Sequence, residues 1–308
     1  MIAEPTTPKA STYTRSRPSL GGLLRTLVVL FKLRIVVLLL AAAVAGAFLG
    51  AGGWPGSAVV SLLLITGGLT AAGASALNQY LEREADSRMG RTRHRPLVSG
   101  AISRPGWVAV IATLLVIVPV VAVLPTNPAL AFFLIGGAFI YVGVYTIWLK
   151  PRTSLNIVIG GAAGSFAVLS GGAAAAAWTD PGVLALALLV FFWTPIHFWS
   201  LALVYREDYE RAGVPMLPVT ATARRSAFWS LVHGVATGLT GLALGLHPAL
   251  GLMFLAPVVV GTVYLVGEGW RLLVRPSSRR AWRVFHASNL YLALILLAIC
   301  VDAGLRIP

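Results

Sequence analysis

Long uninterrupted apolar runs alternate with short polar segments along the chain. A run of about 20 apolar residues is long enough to cross a hydrocarbon core about 30 Å thick as a helix. Nine such runs are present, at residues 34–53, 57–77, 106–125, 128–148, 155–177, 182–204, 227–246, 249–270 and 287–305. The alternation of apolar and polar positions that is typical of a membrane β-barrel strand is not found. The pattern therefore predicts an all-α, polytopic membrane protein with nine transmembrane helices.

Composition agrees with this prediction and adds a boundary near the start of the chain. The 308 residues are 57% hydrophobic and only 11% charged, which excludes an ordinary soluble domain. The first residues are rich in Pro, Ser and Thr and contain no apolar stretch of the kind found in a secretory signal peptide. We therefore expect residues 1–25 to form a disordered cytoplasmic tail and residues 26–308 to form one membrane-embedded domain.

The basic residues predict an orientation. All but one of the 24 Lys and Arg residues precede the first run or follow the second, fourth, sixth and eighth runs, and the exception is Arg306. Because basic loops face the cytoplasm, we expect a multi-pass protein of the cell (inner) membrane with a cytoplasmic N-terminus and an external C-terminus. The net charge of +14 then reflects topology and contact with lipid headgroups, and it does not indicate a nucleic-acid partner.

Acidic residues are rare and clustered. Six of the ten Asp and Glu residues lie in two polar segments, one after the second run (Glu82, Glu84, Asp86) and one after the sixth (Glu207, Asp208, Glu210). Loops that follow the second and the sixth of nine consecutive spans emerge on the same side of the membrane. The sequence therefore predicts one shared site, formed by two pseudo-equivalent groups of four spans.

Three oxygen-bearing side chains recur at every fourth position after the second run. If the helix continues past the membrane surface, Asn78, Glu82 and Asp86 lie on one face of it. Mg²⁺ prefers such hard oxygen ligands and commonly binds one or two carboxylates together with substrate phosphates. The arginines that follow, among them Arg91 and Arg95, offer donors for phosphate oxygens. This combination indicates a site for Mg²⁺ and diphosphate, although mixed charge at a helix end is also typical of a solvated face.

Three stretches resemble one known family. "NQYLEREADSRMGRTRHRPL" (78–97) is similar to the first Asp-rich motif of the UbiA superfamily of intramembrane prenyltransferases, in the Glu-containing variant of its protoheme IX farnesyltransferase (heme O synthase) branch. "YTIWLKPRTSLNIVIGGAAG" (145–164) resembles a loop and fifth span of that branch, and "FWTPIHFWSLALVYREDYERAGVPMLPV" (192–219) resembles its second motif. The similarity covers about residues 25 to 300. It implies a nine-helix bundle around a central cavity, with Mg²⁺ as cofactor.

The resemblance also implies an activity and a set of site residues. The activity is transfer of farnesyl from farnesyl diphosphate to a vinyl group of heme B, giving heme O for heme A biosynthesis. The residues implied to be catalytic and to bind Mg²⁺ are Asn78, Glu82, Asp86 and Asp208. Those implied to contact substrates are Arg91, Arg95, Lys150, Arg152, Asn156, His197 and Tyr209. Expected partners are farnesyl diphosphate, heme B, membrane lipids and the downstream heme-modifying enzyme.

Several of these residues have a structural interpretation as well. Lys150 and Arg152 stand where topology alone would place a basic pair. Asn156 is a polar residue inside a span, and either a site role or an interhelical hydrogen bond would explain it. His197 lies within the sixth run among aromatic residues, where it either contacts the acceptor or packs as a hydrogen-bonded core residue.

The sequence departs from the family pattern at two places and leaves other functions open. Lys32-Leu33-Arg34 replaces Lys-Pro-Arg before the first span, and Ala167-Val168 replaces a pair of prolines in the fifth. The nearest alternative function is prenylation of a quinone precursor or a chlorin. A secondary transporter would instead place its binding groups near the bilayer midplane, and a purely structural membrane subunit would bind neither diphosphate nor porphyrin.

Small residues predict close helix contacts. GxxxG spacing occurs at Gly46/Gly50, Gly160/Gly164 and Gly241/Gly245. In membranes this spacing allows two helix backbones to approach each other closely. We therefore expect these glycines to pack against neighbouring spans.

Overall fold

The computed structural model describes residues 20–305 and contains only helices and loops in this range. The α-helices are α1 (Leu20–Leu30), α2 (Leu33–Ala51), α3 (Ser57–Leu81), α4 (Arg83–Ser87), α5 (Pro105–Val123), α6 (Pro128–Phe139), α7 (Asn156–Gly160), α8 (Ala162–Ala174), α9 (Pro181–Val204), α10 (Arg206–Arg211), α11 (Leu217–Thr220), α12 (Ala223–Leu244), α13 (Leu252–Val274) and α14 (Ser278–Leu305). A π-helix, Ile140–Leu149, continues α6 directly.

Within the described part of the chain, nine helical segments are long and apolar enough to span a membrane. They coincide with the nine predicted runs, which confirms the all-α, nine-span prediction. The largest difference is in the last span, because α14 begins at Ser278 rather than at residue 287. Its first turns are rich in arginine, and hydropathy does not detect a helix that continues beyond the apolar region.

The predicted N-terminal tail is only partly within the described residues. Residues 1–19 lie outside them. Residues 20–25, which the prediction gave to the disordered tail, form the start of α1 and have largely exposed side chains. The predicted boundary after residue 25 therefore falls inside a helix in this structure.

Helix α9 lies at the centre of the largest apolar cluster. Its buried residues, such as Leu186, Val190 and Ile196, pack with buried residues of α2, α12, α13 and α14. Large apolar side chains such as Leu188 and Leu297 point outward from the bundle, as expected for helices that face lipid. The core is thus formed across the bundle.

Glycines allow the spans to approach closely, as the GxxxG spacing predicts. A Cβ added at Gly46 would lie 2.4 Å from the Val168 backbone oxygen. One added at Gly160 would lie 2.7 Å from the Tyr145 ring. One added at Gly241 would lie 2.5 Å from the Tyr291 hydroxyl. The packing role predicted for these glycines is confirmed.

The loops after α3, the π-helix, α9 and α13 carry most of the described basic residues. We call the end of the bundle formed by these loops the basic end. The short helices α4 and α10 continue α3 and α9 there after one non-helical residue each, Glu82 and Tyr205. Both predicted acidic segments therefore lie on short helical extensions of spans.

Candidate functional site

Asn78, Glu82 and Asp86 of the first motif lie on consecutive helical turns, as their four-residue spacing predicts. The Glu82 N–H donates to the Asn78 carbonyl oxygen (2.9 Å), and the Asp86 N–H donates to the Glu82 carbonyl oxygen (2.8 Å). Helical hydrogen bonding therefore continues across the break between α3 and α4. All three side chains are buried, with exposed fractions of 1% for Asn78, 9% for Glu82 and 3% for Asp86. Burial of two carboxylates in one short segment argues against the solvated-face interpretation.

Each buried carboxylate of this motif faces a cation, one from the residue after the π-helix and one from the loop after α4. Lys150 Nζ lies 2.5 Å from Glu82 Oε1, and the Arg95 guanidinium forms an ion pair with Asp86. Both cations are largely buried themselves, with 16% of each side chain exposed. A buried charge requires a partner, so these pairs hold the π-helix and the loop after α4 against the end of α3.

Lys32 is a member of this cluster that the sequence did not assign to the site. Its Nζ donates to Asn78 Oδ1 (2.5 Å) and to the Tyr141 hydroxyl (3.0 Å). It lies between α1 and α2 with a backbone φ of 49°. This left-handed conformation is uncommon for a residue with a Cβ, and it interrupts the helix directly before the first span. The departure at Lys32-Leu33-Arg34 is thus adjacent to the site.

The π-helix supplies three further polar groups. Asn78 Nδ2 donates to Thr146 Oγ1 (2.9 Å), which in turn donates to the Tyr141 carbonyl oxygen (2.8 Å). The rings of Tyr141 and Tyr145 stack with centroids 5.9 Å apart. π-helices occur frequently at functional sites, since the wider turn brings residues five apart onto one face. Nothing in an apolar run of this length distinguishes a π-helix from an α-helix.

The second motif contributes Asp208, which lies against the loop of the first motif. Its Oδ2 accepts from the backbone N–H of Arg91 (3.1 Å), and its Oδ1 pairs with Arg211. Gly90 lies against the same carboxylate, since a Cβ added there would be in van der Waals contact with Asp208 Oδ1 at 3.4 Å. The Arg91 guanidinium lies over the Tyr205 ring, 5.5 Å from its centroid. The second motif therefore contacts the loop of the first motif at Gly90 and Arg91.

A buried apolar cluster lies beneath this junction. Met89 of the first motif and Tyr209 of the second are both 3% exposed, and they pack with Tyr145 and Trp199. The predicted substrate-contacting residue Tyr209 is thus buried in the packing between the motifs. Its position fixes the short helix that carries Asp208.

The charged groups outside the membrane spans influence one another's ionisation. Burial raises the pKa of Glu82, but Lys150 and Lys32 together hold it below its usual value. Burial lowers the pKa of Lys150, but Glu82 holds it above its usual value. Burial likewise raises the pKa of Asp208, which the Arg91 N–H and the Arg211 side chain lower below its usual range. These groups are therefore ionised at neutral pH.

Lys32 behaves differently from the other lysine of the site. Burial first, and the nearby charge of Arg95 second, lower the pKa of Lys32 to about 7. The carboxylate of Glu82 compensates for only part of this effect. Lys32 therefore titrates near neutral pH, where a bound anion would favour its charged form.

Two of the predicted substrate-contacting residues make local contacts. The Arg152 side chain is exposed and donates to the carbonyl oxygens of Ile147 (3.0 Å) and Trp148 (2.7 Å) at the end of the π-helix. This arrangement favours the structural interpretation of Arg152. Asn156 is fully buried, and its Nδ2 donates to the Thr153 carbonyl oxygen (2.7 Å) within its own segment. Its Oδ1 is buried without a hydrogen-bond partner, so the interhelical bond considered for Asn156 is not present.

His197 lies at the interface of α9 and α14. Its ring stacks between those of Trp193 and Phe285, with centroid distances of 4.4 Å and 4.6 Å. Its Nδ1 lies 3.1 Å from Ser288 Oγ. The ring is partly exposed, so these contacts fix its orientation and leave part of it accessible.

The four predicted metal ligands are present, and each contacts a cationic group. Among residues 20–305, no three His, Cys, Asp or Glu side chains converge on one metal position. Lys32 occupies an oxygen of Asn78, and lysine or arginine side chains occupy one oxygen of each carboxylate. An open cleft of about 640 Å³ adjoins this region, and Arg91, Tyr205, Asp208 and Arg211 are among its lining residues.

Comparison with known proteins agrees with the family resemblance of these motifs. Residues 38–295 match the UbiA prenyltransferase family. Over 280 residues the chain is 40% identical to "Protoheme IX farnesyltransferase 2" of Paramagnetospirillum magneticum. The aligned region covers 91% of this chain and 97% of that protein. Over 273 residues it is 41% identical to "Protoheme IX farnesyltransferase" of Metallosphaera sedula, with 88% and 93% of the two chains covered.

Solved structures share the fold at low sequence identity. A structure of digeranylgeranylglyceryl phosphate synthase superposes with a TM-score of 0.75 at 18% identity, over 91% of this chain and 98% of that one. A UbiA homolog from Archaeoglobus fulgidus bound to GPP and Mg²⁺ gives a TM-score of 0.59 at 16% identity, over 90% and 99% of the two chains. Identities this low establish a common fold and nothing further.

Proposed function

Because the chain belongs to the UbiA prenyltransferase family and is a prenyltransferase, we propose that it transfers farnesyl from farnesyl diphosphate to a vinyl group of heme B, giving heme O. The site residues supply the argument for the diphosphate, and the relatives supply the argument for the acceptor. The observation that carries the proposal is the buried cluster of paired charges at the basic end of the bundle.

The charge of this cluster suits a diphosphate ester. Three carboxylates contribute to it, those of Glu82, Asp86 and Asp208. Five cationic side chains accompany them: Lys32, Arg91, Arg95, Lys150 and Arg211. The cations outnumber the carboxylates by two when all are charged, and several are partly desolvated. Guanidinium and ammonium groups in such surroundings are strong donors to phosphate oxygens.

The same residues fit a Mg²⁺ ion bound together with diphosphate. Asn78, Glu82, Asp86 and Asp208 would hold the ion through hard oxygen atoms, the ligands that it prefers. Phosphate oxygens would replace the carboxylates as partners of the lysines and arginines, which would leave carboxylate oxygens available to the ion. When bound, the ion stabilises negative charge that develops on the leaving diphosphate. The homolog from Archaeoglobus fulgidus contains GPP and Mg²⁺, which supports this proposal.

The remaining chemistry depends on position and exclusion of water. Lysine and arginine side chains orient the diphosphate at the membrane surface, so that its isoprenoid tail enters the apolar bundle. Aromatic faces such as those of Tyr141 and Tyr145 lie beside the buried carboxylates and shelter an allylic cation from water. The partly exposed His197 ring is available to contact the acceptor.

The choice of heme as acceptor rests on the named relatives. Two proteins about 40% identical over most of the chain are called protoheme IX farnesyltransferases. The residue-level site would equally serve a quinone precursor or a chlorin. Membrane lipids are expected partners of the nine spans, and association with the downstream heme-modifying enzyme remains a prediction.

A direct assay tests the proposed reaction. Purified full-length protein in lipid nanodiscs is supplied with farnesyl diphosphate, Mg²⁺ and heme B, and the product is identified by mass and by its altered absorption. We expect heme O, and we expect its formation to stop when a chelator removes Mg²⁺ and to resume when Mg²⁺ is restored. Matched reactions replace heme B by an aromatic quinone precursor or a chlorin. Prenylation of one of these, without heme O, would assign the protein to another acceptor while leaving the diphosphate site in place.

A further inference from the structure

A series of aromatic rings leads from the candidate site into the membrane region. The Tyr205 ring, on which Arg91 lies, contacts Trp282 (5.9 Å between centroids), and Trp282 contacts Phe285 (5.4 Å). Phe285 stacks on His197 at 4.6 Å. We call Tyr205, Trp282, Phe285 and His197 the aromatic ladder.

The ladder runs along the interface of α9 and α14. Tyr205 follows the last residue of α9, and His197 lies eight positions earlier in the sequence, which is about 12 Å deeper at 1.5 Å per residue. All four rings of the ladder are partly exposed. They therefore offer an aromatic surface that starts at the basic end and continues into the bilayer region, with edge-to-face contacts at Trp282 (81° to Tyr205 and 82° to Phe285) and a stacked pair at Phe285 and His197.

A cleft rich in arginine lies at the outer end of the ladder. It has a volume of about 310 Å³ and is lined by Arg275, Pro276, Ser277, Arg279, Arg280 and Arg283. We call it the arginine cleft. No acidic residue lines it, in contrast to the cleft beside Asp208.

The guanidinium groups of the arginine cleft form no ion pairs with described residues. Arg280 donates to the backbone oxygen of Arg275 (2.7 Å), and none of the four arginines is paired with Asp or Glu. Arginines elsewhere at the basic end, such as Arg95 and Arg211, do have carboxylate partners. Four uncompensated guanidinium groups around one concave surface suit an anionic ligand.

Sequence position places the arginine cleft beside the ladder. Arg279 and Arg283 are four residues apart on α14 and lie on either side of Trp282 in the sequence. Ser277 lines the arginine cleft, and its neighbour Ser278 lines the cleft that contains Tyr205 and Asp208. A ligand with one anionic edge and one flat apolar face can therefore contact both features at once.

We propose that the arginine cleft binds the two propionate carboxylates of heme B while the macrocycle lies along the aromatic ladder. This inference rests on the proposed function, since heme B is the acceptor that the reaction requires. Guanidinium groups bind carboxylates in a bidentate manner, and aromatic rings pack against a conjugated macrocycle through their edges as well as their faces. The order of the two features along the membrane normal matches that of the ligand, with charge at the surface and the apolar ring within the span.

Binding measurements with esterified heme test this assignment. Full-length protein is reconstituted in nanodiscs of phosphatidylcholine, which lacks net charge, and heme B or heme B dimethyl ester is titrated by its Soret absorbance. Arg279→Gln/Arg283→Gln is compared with Arg224→Gln/Arg225→Gln, which removes two exposed arginines from the first turn of α12. We expect only the first pair to weaken heme B binding, by about tenfold or more. The dimethyl ester, which has no carboxylates, should bind all three proteins equally.

Two controls separate charge from folding and lipid binding. Arg279→Lys/Arg283→Lys keeps the positive charge and should restore most of the heme B affinity, while farnesyl diphosphate binding should stay unchanged in every variant. Equal heme B affinity in wild type and Arg279→Gln/Arg283→Gln would overturn the assignment, as would equal losses for heme B and its ester. An effect that appears only with phosphatidylglycerol in the nanodisc would assign the cleft to lipid headgroups instead. Wild-type protein that binds farnesyl diphosphate but neither form of heme would overturn the proposed acceptor as well.

Discussion

At the scale of single residues, the site is a set of buried charges that compensate one another. Glu82 is held by Lys150, which follows the π-helix, and Asp86 is held by Arg95 of the same motif. Removal of one partner leaves the other charge buried and unpaired, an arrangement that is strongly unfavourable. Substitutions at the site therefore affect folding as well as chemistry, and functional tests need a measure of folding beside the measure of activity.

Asp86→Ala tests the metal assignment. If Asp86 holds Mg²⁺ against the leaving diphosphate, the variant loses a preorganised electrostatic contact, and turnover should fall by about a hundredfold or more. Turnover is measured over a range of Mg²⁺ concentrations, with the elution profile of the detergent-solubilised protein as the folding control. Glu84→Ala is the matched variant, because Glu84 lies in the same short helix but is exposed and pairs only with Arg88. Full activity of well-folded Asp86→Ala protein at limiting Mg²⁺ would show that the assignment is wrong.

Lys32 should make anion binding depend on pH. Its pKa of about 7 results from burial and from Arg95, and a bound diphosphate raises that pKa by favouring the ammonium. Above the free-protein pKa, binding therefore takes up a proton, so affinity falls as the pH rises, by at most about tenfold per pH unit. Below that pKa, Lys32 is already charged and contributes no slope.

The measurement compares wild type with Lys32→Met in Mg²⁺-free buffer. Diphosphate affinity is determined across neutral pH, and the ratio of the two affinities cancels the titration of diphosphate itself. We expect the wild-type advantage to be largest below pH 7 and to decline above it. A ratio that does not change with pH would contradict the role given to Lys32.

At the scale of helices, small residues and one π-helix set the distances between spans. The π-helix places Tyr141 in contact with Lys32 and Thr146 in contact with Asn78. The residue that follows it, Lys150, contacts Glu82. Glycines allow the α8 and α2 backbones to lie against each other, and those of α6 make room for the Phe166 ring of α8. Without such close approaches, the cations of one span would not reach the carboxylates of another.

Gly171→Ala tests the closest of these contacts. A Cβ at Gly171 of α8 would lie 1.8 Å from the Ala43 backbone oxygen of α2, and backbone cannot move aside cheaply. We expect a loss of stability of about 3 kcal/mol from overpacking. Gly267→Ala in α13 is the matched control, because a Cβ there would meet nothing within 4 Å. The fraction of monodisperse protein that survives a heating series should fall sharply for the first variant alone, and similar survival of both would refute the packing argument.

At the scale of the whole molecule, the nine candidate spans among residues 20–305 predict that the two ends of this range lie on opposite sides of the membrane. The described basic residues concentrate at one end of the bundle, the end that also contains the candidate site. The positive-inside rule therefore predicts a site that is open to the cytoplasm and a C-terminus on the external side.

Reporter fusions test this orientation. Alkaline phosphatase, which is active only after export, and green fluorescent protein, which folds in the cytoplasm, are each fused after Pro308. We expect phosphatase activity without fluorescence. Fusions after Arg225, in the first turn of the seventh span, should give the reverse result. Fluorescence from the C-terminal fusion would contradict the predicted topology.

Hydropathy and spacing in the sequence were sufficient to predict the nine spans and the shared helical segment of the first motif. Each of these properties depends on local pattern, because a membrane span requires only an apolar run of sufficient length. Similarly, Asn78, Glu82 and Asp86 share a face because helical geometry relates every fourth residue. Motif similarity also predicted Lys150 and Arg95 as site residues, but it did not predict which carboxylates they pair with.

Only the tertiary structure decided which groups contact one another across the bundle. The approach of Lys32 to Asn78 and the Arg91 N–H bond to Asp208 depend on which helix ends are neighbours. No periodicity encodes these contacts, since nearly uniform apolar spans leave their neighbours and rotations unspecified by hydropathy. The neighbours and rotations of the spans are determined by close contact between helix backbones at glycines and by the burial of paired charges. Both arise only when the helices pack together.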